Sequence, residues 1–592
     1  MKKLMLFLAL VLISSLSFAQ TIQYKDNVND KEWQTLEYKD IKPGCLTGKE
    51  ALKLSGDFSK FTVEWDKNKG TKQAYETGPV IAVCCFDGPS YTYKDEILDY
   101  IYKDPYYSYK YLKEVDLSEV TDINSMQYIF CKCFNLKTVT FPKNSIETAK
   151  NFEYAFEGCN SLQKADLSMF KNIDNLNEAF SNCFDMTEVK FCPKPENQDV
   201  YIGNTFVGCT HLKGIDLSMY KIKTDTKQST PITFNACYSL DYVYLPQGYV
   251  DYVKSFLDKN KNNNDYKPQE DIFGGDYNPN CLKILPNDEQ PKGVMDDWTN
   301  VVLGDEAFTD INLTEGSIAN NVDDSENKYY NYTYECPKDI QLGGKNAIFT
   351  PVMSGGPYTY QWANGESGWN TIVLPFTGAL QTKGSNDTEY QRVYPATNNF
   401  KGHYWLREYK DGYGDAVTFD VVNNVNTSTG EALQANTPYI IAFPGNNFND
   451  DSMESMDLRF IATTDVLPKT TDPKVTGKSG DYAFQGNLNG NQVSGTAYKL
   501  VYGGKNSQDY FEQTADENLP FHAQIIATSG ASTAKRLSIN SQGTTGIVGT
   551  ENEKPQEAQT YFTIDGANTG VTDAKLLKKG VYIHGNKKIL IK

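Results

Sequence analysis

The sequence predicts a mixed, multidomain fold: a solenoid of stacked coils, each a short helix plus a strand, followed by an all-β, sandwich-like region. Three observations carry this reading. One hydrophobic pattern returns six times between Tyr106 and Leu245, at intervals of 24 to 28 residues, and a period of that length marks a solenoid. Within each unit the apolar spacing shortens from three or four residues to two, as a helical turn gives way to a strand. Beyond residue 291 helical periodicity stops, and aromatic and β-branched runs alternate with Gly, Asn and Asp clusters, the signature of short strands.

The chain has 592 residues, of which 39% are hydrophobic and 13% aromatic, enough to exclude a largely disordered polymer and to fill several cores. Its net charge of -18 repels phosphate backbones, so nucleic acid is not an expected partner. Residues 1–19 read as a secretory signal peptide: Lys2 and Lys3, an apolar run from Leu4 to Leu16, then Ser17 and Ala19 before a cut at Gln20. No later stretch reaches about 18 uninterrupted apolar residues, so no transmembrane segment is expected after signal removal. Export to the cell surface (outer membrane) or the medium follows. Residues 20–105, rich in Tyr, Lys and Asp, read as an N-terminal cap, because the first coil of a stack has an apolar face to cover.

Residues 106–290 hold the repeats and a C-terminal cap. The units read Tyr106, Tyr109, Leu112, Val115, Leu117; Phe130, Cys133, Leu136, Val139, Phe141; Phe156, Cys159, Leu162, Ala165, Leu167; Phe180, Cys183, Met186, Val189, Phe191; Phe206, Cys209, Leu212, Ile215, Leu217; and Phe234, Cys237, Leu240, Val243, Leu245. Upstream of each aromatic, triplets such as Met126, Ile129, Phe130 and Phe152, Ala155, Phe156 keep helical i, i+3, i+4 spacing. In the last unit Thr230 and Thr233 replace the apolar pair, as suits an end coil.

Five of the twelve Cys share one slot of the repeat, three residues after an aromatic and three before an aliphatic. That position predicts a buried, reduced thiol ladder, with disulfides or a metal as the alternatives. The close pairs Cys84 with Cys85 and Cys131 with Cys133 lack a second pair at zinc-site spacing.

The triplet Asp116, Leu117, Ser118 returns as Asp166, Leu167, Ser168 and Asp216, Leu217, Ser218 at intervals of 50, so coils alternate in two types. With a Phe, a Cys and a Leu in the same order, these units resemble the leucine-rich repeats of BspA-like bacterial surface proteins. The resemblance implies a surface-exposed or released adhesin that binds host or neighbouring-cell surface proteins. Pro246, Gly248, Val250 and Tyr252 resemble the closing segment of such arrays.

From Leu257 to about Gln290 the composition is that of cap and linker. Residues 291–545 form the β-rich region, with strands expected at Thr371 to Leu374, Val417 to Val422, Tyr439 to Phe443, Arg459 to Thr463, Tyr498 to Tyr502 and Phe521 to Ala527. The run Trp369 to Phe376 resembles a segment of β-rich modules in secreted proteins of Gram-negative anaerobes. Residues 546–592 are a linker and a tail in which Gly580 to Ile583 and Lys587 to Ile591 form a hairpin turning at Gly585 and Asn586. This tail resembles the C-terminal sorting signals of the type IX export route; a plain closing hairpin is the alternative.

The four His lie far apart, and no phosphate loop, zinc-protease helix or nucleophile elbow is present. No catalytic residue, metal or cofactor is therefore expected. His211, beside a Cys slot, reads as a solvent-facing turn residue. Binding is expected on the outward positions of the strands: Asp116, Thr140, Asp166, Lys190 and Asp216, with Tyr242 and Tyr244 at the C-terminal end. One step earlier lie Glu114, Thr138, Lys164, Glu188 and Gly214. A solvated face without a ligand and, for the three Asp, a local turn cap are the bland alternatives. The second functional class is a carbohydrate-binding protein whose β-rich region presents Trp362, Trp369 and Trp405 to glycans; a polysaccharide-active enzyme is a third.

Overall fold

The computed structural model describes residues 20–41, 44–67, 71–75, 81, 111–196, 198–223, 234–262, 267, 269–320, 328–352, 362–363, 368–399, 401–445, 452–491, 495–503, 508–528, 534–542, 562–563, 580–584 and 587–591. The signal peptide, Cys84 and Cys85, Tyr106 and Tyr109, Thr230 and Thr233, and the linker from 546 to 560 lie outside them.

Alternation of apolar and polar residues makes each repeat unit contribute one short strand, and the strands pair in parallel. Ala51–Phe58 lies beside Glu114–Ile123, which lies beside Thr138–Thr140. Lys164–Leu167 pairs with Glu188–Phe191. Gly214–Asp216, Tyr242–Tyr244, Leu282–Leu285 and Val301–Leu303 then run as four parallel neighbours. Val115, Leu117, Ala165, Leu167, Val189, Ile215 and Val243 point inward and are buried. The two coil types end their strands differently. After Asp116, Asp166 and Asp216 the carboxylate Oδ1 accepts the N–H of the Ser two residues on, at 2.9, 3.0 and 2.9 Å, a local turn at which Lys164–Leu167 and Gly214–Asp216 end and the longer Glu114–Ile123 shifts its register against Ala51–Phe58. The alternate coils reach Pro142, Pro193 and Pro246 instead, which have no N–H to give.

The arc expected as a short helix is a run of turns; no coil between Glu114 and Leu245 contains an α-helix among the described residues. Alternate N–H groups close turns within the coil, as from Ile129 to Met126 O (3.1 Å), Cys131 to Tyr128 O (3.0 Å) and Cys133 to Phe130 O (3.1 Å). The intervening ones reach across to the next coil, as from Tyr128 to Glu153 O (3.0 Å) and Phe130 to Ala155 O (2.9 Å), then Tyr154 to Asn177 O (3.1 Å) and Phe156 to Ala179 O (2.8 Å). An α-helix would turn every N–H along its own axis, so a helix cannot also bond its neighbour. The second ladder requires left-handed residues at regular places. Two positions after the aromatic, Lys132, Gly158, Asn182, Gly208 and Ala236 all have positive φ; two positions before it, so do Tyr128, Tyr154, Glu178 and Asn204. The three-residue apolar spacing of a turn run matches that of a helix, which is why the pattern misleads.

Between the two ladders lies a continuous core. Phe156, Phe180, Phe206 and Phe234 stack face to face, with centroids 5.3, 5.9 and 6.0 Å apart along the array. The Cys slot lies beside this column, and each thiol has a partner one coil back: Cys159, Cys183, Cys209 and Cys237 donate to the carbonyls of Phe130, Phe156, Phe180 and Phe206 at 3.0 to 3.1 Å. Burial pushes these four thiols far above their ordinary pKa, and the described Cys are all unbridged.

The stretch read as cap and linker contains the helix Tyr249–Asn260, whose Tyr249, Val250, Tyr252 and Val253 are buried, and the strand Leu282–Leu285, buried throughout. That strand extends the ladder toward the β-rich half. Its Leu285 side faces the first core, while Leu282 and Ile284 enter a second.

The second core lies between two sheets. One has five strands, with Ile311–Thr314, Ala347–Thr350, Asp457–Ala462 and Gly378–Lys383 in order before Gln391–Arg392. Facing it are Asn370–Val373 and Trp405–Tyr413, both paired antiparallel with the wholly buried strand Pro438–Pro444. The latter sheet continues through Ala416–Val421, Arg536–Gln542, Tyr510–Thr514, Thr496–Val501, Ala523–Ala527 and Tyr482–Gly486. It curls back on itself, bringing the Tyr409 ring to 5.9 Å from Phe484 around an aromatic third core. At the end of the chain Gly580–His584 and Lys587–Ile591 pair antiparallel, with His584 opposite Lys587.

Candidate functional site

The outward positions of the ladder strands fall into two rows. The register places Lys53 beside Asp116 and Asp116 beside Thr140; then Asp166 beside Lys190; then Asp216 beside Tyr244 and Tyr244 beside Ile284. The other row runs Glu114 beside Thr138, Lys164 beside Glu188, and Gly214 beside Tyr242 and Leu282. Thr138, Thr140, Lys164, Asp166, Lys190 and Asp216 are exposed. Parallel strands hold such residues about 4.8 Å apart from coil to coil.

Charges on this face are paired along and across strands. Glu188 meets Lys190 Nζ at 2.8 Å and Lys164 Nζ at 3.1 Å, and the two lysines hold its carboxyl below the usual range. Exposed pairs of this kind contribute little to stability, so a partner can exchange them at small cost. The three Asp differ from one another. Asp116 is half-buried, with Lys53 Nζ 3.8 Å away, whereas Asp166 and Asp216 are exposed. All three spend Oδ1 on the turn described above, and the Asp116 Oδ2 is the atom that faces Lys53.

The C-terminal end of the face is covered. Tyr242 and Tyr244 are half-buried and pack on the second core, and burial raises both phenols. The Tyr242 ring lies over Gly214, where a Cβ would come within 2.3 Å of it. Lys338 Nζ sits 5.4 Å above the Tyr244 ring. Thus the structure brings Asp116, Thr140, Asp166, Lys190 and Asp216 onto one open face and gives the two Tyr to the join with the β-rich half. Alternation in the sequence marks them as outward, and only the tertiary packing reveals what lies over them.

The same join covers His211. It is half-buried, its ring 5.4 Å from Tyr330, and Nδ1 lies 2.8 Å from Phe184 O, so it is not the solvent-facing residue that its place beside a Cys slot suggests. Tyr330 comes from Lys328–Asn331, which pairs with Ser317–Asn320 and also packs its ring 4.9 Å from Tyr238. Lys213 Nζ donates to Asn489 O at 2.5 Å.

Beneath this join sits Asp241, wholly buried at the start of the ladder strand Tyr242–Tyr244. Thr333 Oγ1 donates to its Oδ1, as does Asn278 Nδ2 at 3.1 Å, while Oδ2 has no partner. Burial pushes its carboxyl up to about 7 against the pull of Lys213 and the Thr333 bond. Lys283 is buried nearby, where its ammonium donates to Cys281 O (3.2 Å) and Thr299 O (3.1 Å) between the rings of Phe273 and Tyr277.

Among the three Trp considered for sugar stacking, Trp405 is buried at 6% exposure and cannot present a face. Trp369 is half-buried, with the Arg407 guanidinium 5.2 Å from its ring. Trp362 lies on Trp362–Ala363, whose side chains are outside the described residues. No group of three or more His, Cys, Asp or Glu among the described residues is placed to hold a metal ion. No described helix is long and apolar enough to cross a membrane.

The repeat region is similar to the BspA type Leucine rich repeat region, in six copies, over residues 99–241 and 177–263. No curated protein and no solved structure matches the chain.

Proposed function

We propose that this chain is an exported surface or secreted binding protein, adhesin-like, that engages protein partners along the open face of its repeat solenoid. The observation that carries the reading is the run of exposed and half-buried outward residues from Glu114 to Asp216, carried on strands whose inward residues, half-buried Val139 apart, are buried. A preordered face loses little conformational entropy when it binds, and extended faces are what stacked repeats offer a partner. The mixture of exposed Thr with exchangeable Lys and Glu suits another protein surface better than a polyanion. Similarity to BspA-type repeats supports the same class. On this reading the β-rich half, a sandwich-like module, is a rigid base that closes the C-terminal end of the solenoid. The N-terminal leader and the terminal hairpin direct export, and no enzymatic step is assigned.

The test is to immobilise the mature chain and measure binding to a panel of purified extracellular-matrix and bacterial surface proteins. Saturable binding of at least one, reduced tenfold or more by Thr140→Arg combined with Lys190→Glu, is the expected result. Absence of protein binding across the panel, or binding indifferent to both substitutions, contradicts it.

A further inference from the structure

A cleft of about 670 Å³, whose lining shares no residue with the ladder face, opens in the long sheet of the β-rich half. It forms where two strands part. Thr496–Val501 pairs with Ala523–Ala527 only from Thr496 to Tyr498, opposite Ala527 to Ile525. Lys499 and Leu500 on one side, and Ala523 and Gln524 on the other, lie past the last pair and line the opening. Ala523 N–H donates to Thr371 Oγ1 at 3.0 Å, tying that end of its strand to Asn370–Val373 and away from Lys499. The cleft is thus built into the sheet.

Its walls carry two kinds of group. Trp369 and Tyr502 supply aromatic surface; Tyr502 is 41% exposed. Against these stand Asn518 and Glu517. Asn518 is only 3% exposed. Its Nδ2 donates to Gln485 O at 2.9 Å, but its Oδ1 has no partner, and a buried acceptor normally finds a donor from protein, water or ligand. Also lining the cleft is half-buried His522, whose Nδ1 lies 3.2 Å from Thr371 Oγ1 and whose Nε2 lies 3.7 Å from Glu315 Oε1. Burial keeps this imidazole neutral above a pH of about 4. At the mouth Lys499 is paired with Asp516. Among the described residues lining the cleft Lys499 is the one Lys or Arg, and with it neutralised the remaining carboxylates disfavour an anionic ligand.

We propose that this cleft is a binding site for a neutral oligosaccharide. Sugar rings present an apolar C–H face that lies on an aromatic ring such as Tyr502, and hydroxyls that donate to an amide carbonyl such as Asn518 Oδ1 or to Glu517. A peptide added as a strand is the competing occupant. The parted stretch offers it two residue pairs, fewer than the five or so of an ordinary strand, and main-chain pairing is what holds such a peptide. The site does not depend on the ladder face and can fail or stand without it.

The experiment uses the mature chain on an array of neutral gluco-, galacto-, manno- and xylo-oligosaccharides, beside sulfated and uronate-containing glycans and extended peptides, with calorimetry on any hit. Tyr502→Ala and Glu517→Gln, both near the surface, are compared at matched circular dichroism and melting temperature; Thr140→Arg on the ladder serves as the control. Binding of neutral oligosaccharides, weakened at least tenfold by Tyr502→Ala and by Glu517→Gln and unchanged by Thr140→Arg, is expected. No binding of neutral oligosaccharides, preference for anionic glycans or peptides, or affinity unaltered in both cleft variants overturns the proposal.

Discussion

The Cys159 thiol donates to the Phe130 carbonyl one coil back at 3.1 Å, and Phe130 O at the same time accepts the Cys133 N–H of its own coil at 3.1 Å. One carbonyl thus closes a turn and joins two coils. The relation recurs at Cys183 with Phe156, Cys209 with Phe180 and Cys237 with Phe206. Cys183→Ala removes this bond and a buried sulfur, and should cost about 1 to 2 kcal/mol in urea denaturation. In the folded chain these thiols should resist Ellman's reagent, and among the described Cys half-buried Cys45 should react first. Native-state labelling of the ladder thiols at the rate of a model thiol would refute their assigned role.

Leu162 has no exposure and lies in a middle coil, within the continuous core. Leu162→Ala should therefore cost about 2 to 5 kcal/mol, the range for a core Leu. An unchanged denaturation midpoint would mean that the coils do not share one packed interior.

The left-handed positions two residues after the aromatic are not equivalent. A Cβ on Gly208 would come within 2.8 Å of Asn182 Oδ1, whereas on Gly158 its nearest neighbours are 3.4 Å away. Both substitutions to Ala incur the left-handed cost of about 1 kcal/mol, and Gly208→Ala adds crowding, so it should lower the melting temperature more. Ala236, which already has φ 59°, should gain up to about 1 kcal/mol as Ala236→Gly. The reverse order among the three would argue against the second ladder.

Two groups shifted by desolvation, wholly buried Asp241 and half-buried His522, give stability opposing pH dependences. Asp241 has its carboxyl raised from 3.8 to about 7 by burial, with Glu335 reinforcing and Lys213 opposing. The folded chain then holds a proton that the unfolded chain has lost, so the contribution is full below pH 3.8 and disappears as pH rises through 7. His522 is lowered from 6.5 to about 4 by burial, and its contribution, full above 6.5, is lost as pH falls through 4. Asp241→Asn should remove the first dependence alone. The variant should match the wild type near pH 4 and exceed it progressively toward pH 7, by at most about 1.4 kcal/mol per pH unit. Parallel stability curves for the two proteins would show that Asp241 is ionised in the fold.

How far the sequence discloses this structure depends on which interaction decides each residue. Period and alternation are local, and they place Val115, Ile215 and the Cys slots inward, where they lie buried. The backbone of the other arc is decided by bonds between coils. Met126, Ile129 and Phe130 keep helical spacing, but the N–H groups of Tyr128 and Phe130 go to Glu153 and Ala155. Asp116, Asp166 and Asp216 are legible both as outward residues and as turn formers, because an Asx turn is made within three residues. Tyr242, Tyr244 and His211 depend on segments about 90 to more than 200 residues away, beyond any local pattern. The cleft around Asn518 arises from a parting of two strands, for which spacing carries no sign.

The central claim is that partners bind on the ladder between Glu114 and Asp216. It is tested most directly by hydrogen exchange of the mature chain with and without a protein partner found in the binding panel. Protection is expected in Thr138–Thr140, Lys164–Leu167 and Glu188–Phe191 and their flanking turns, and loss of that protection together with affinity in the Thr140→Arg, Lys190→Glu double variant. Protection confined to the β-rich half, with affinity unchanged in the variant, would contradict the account.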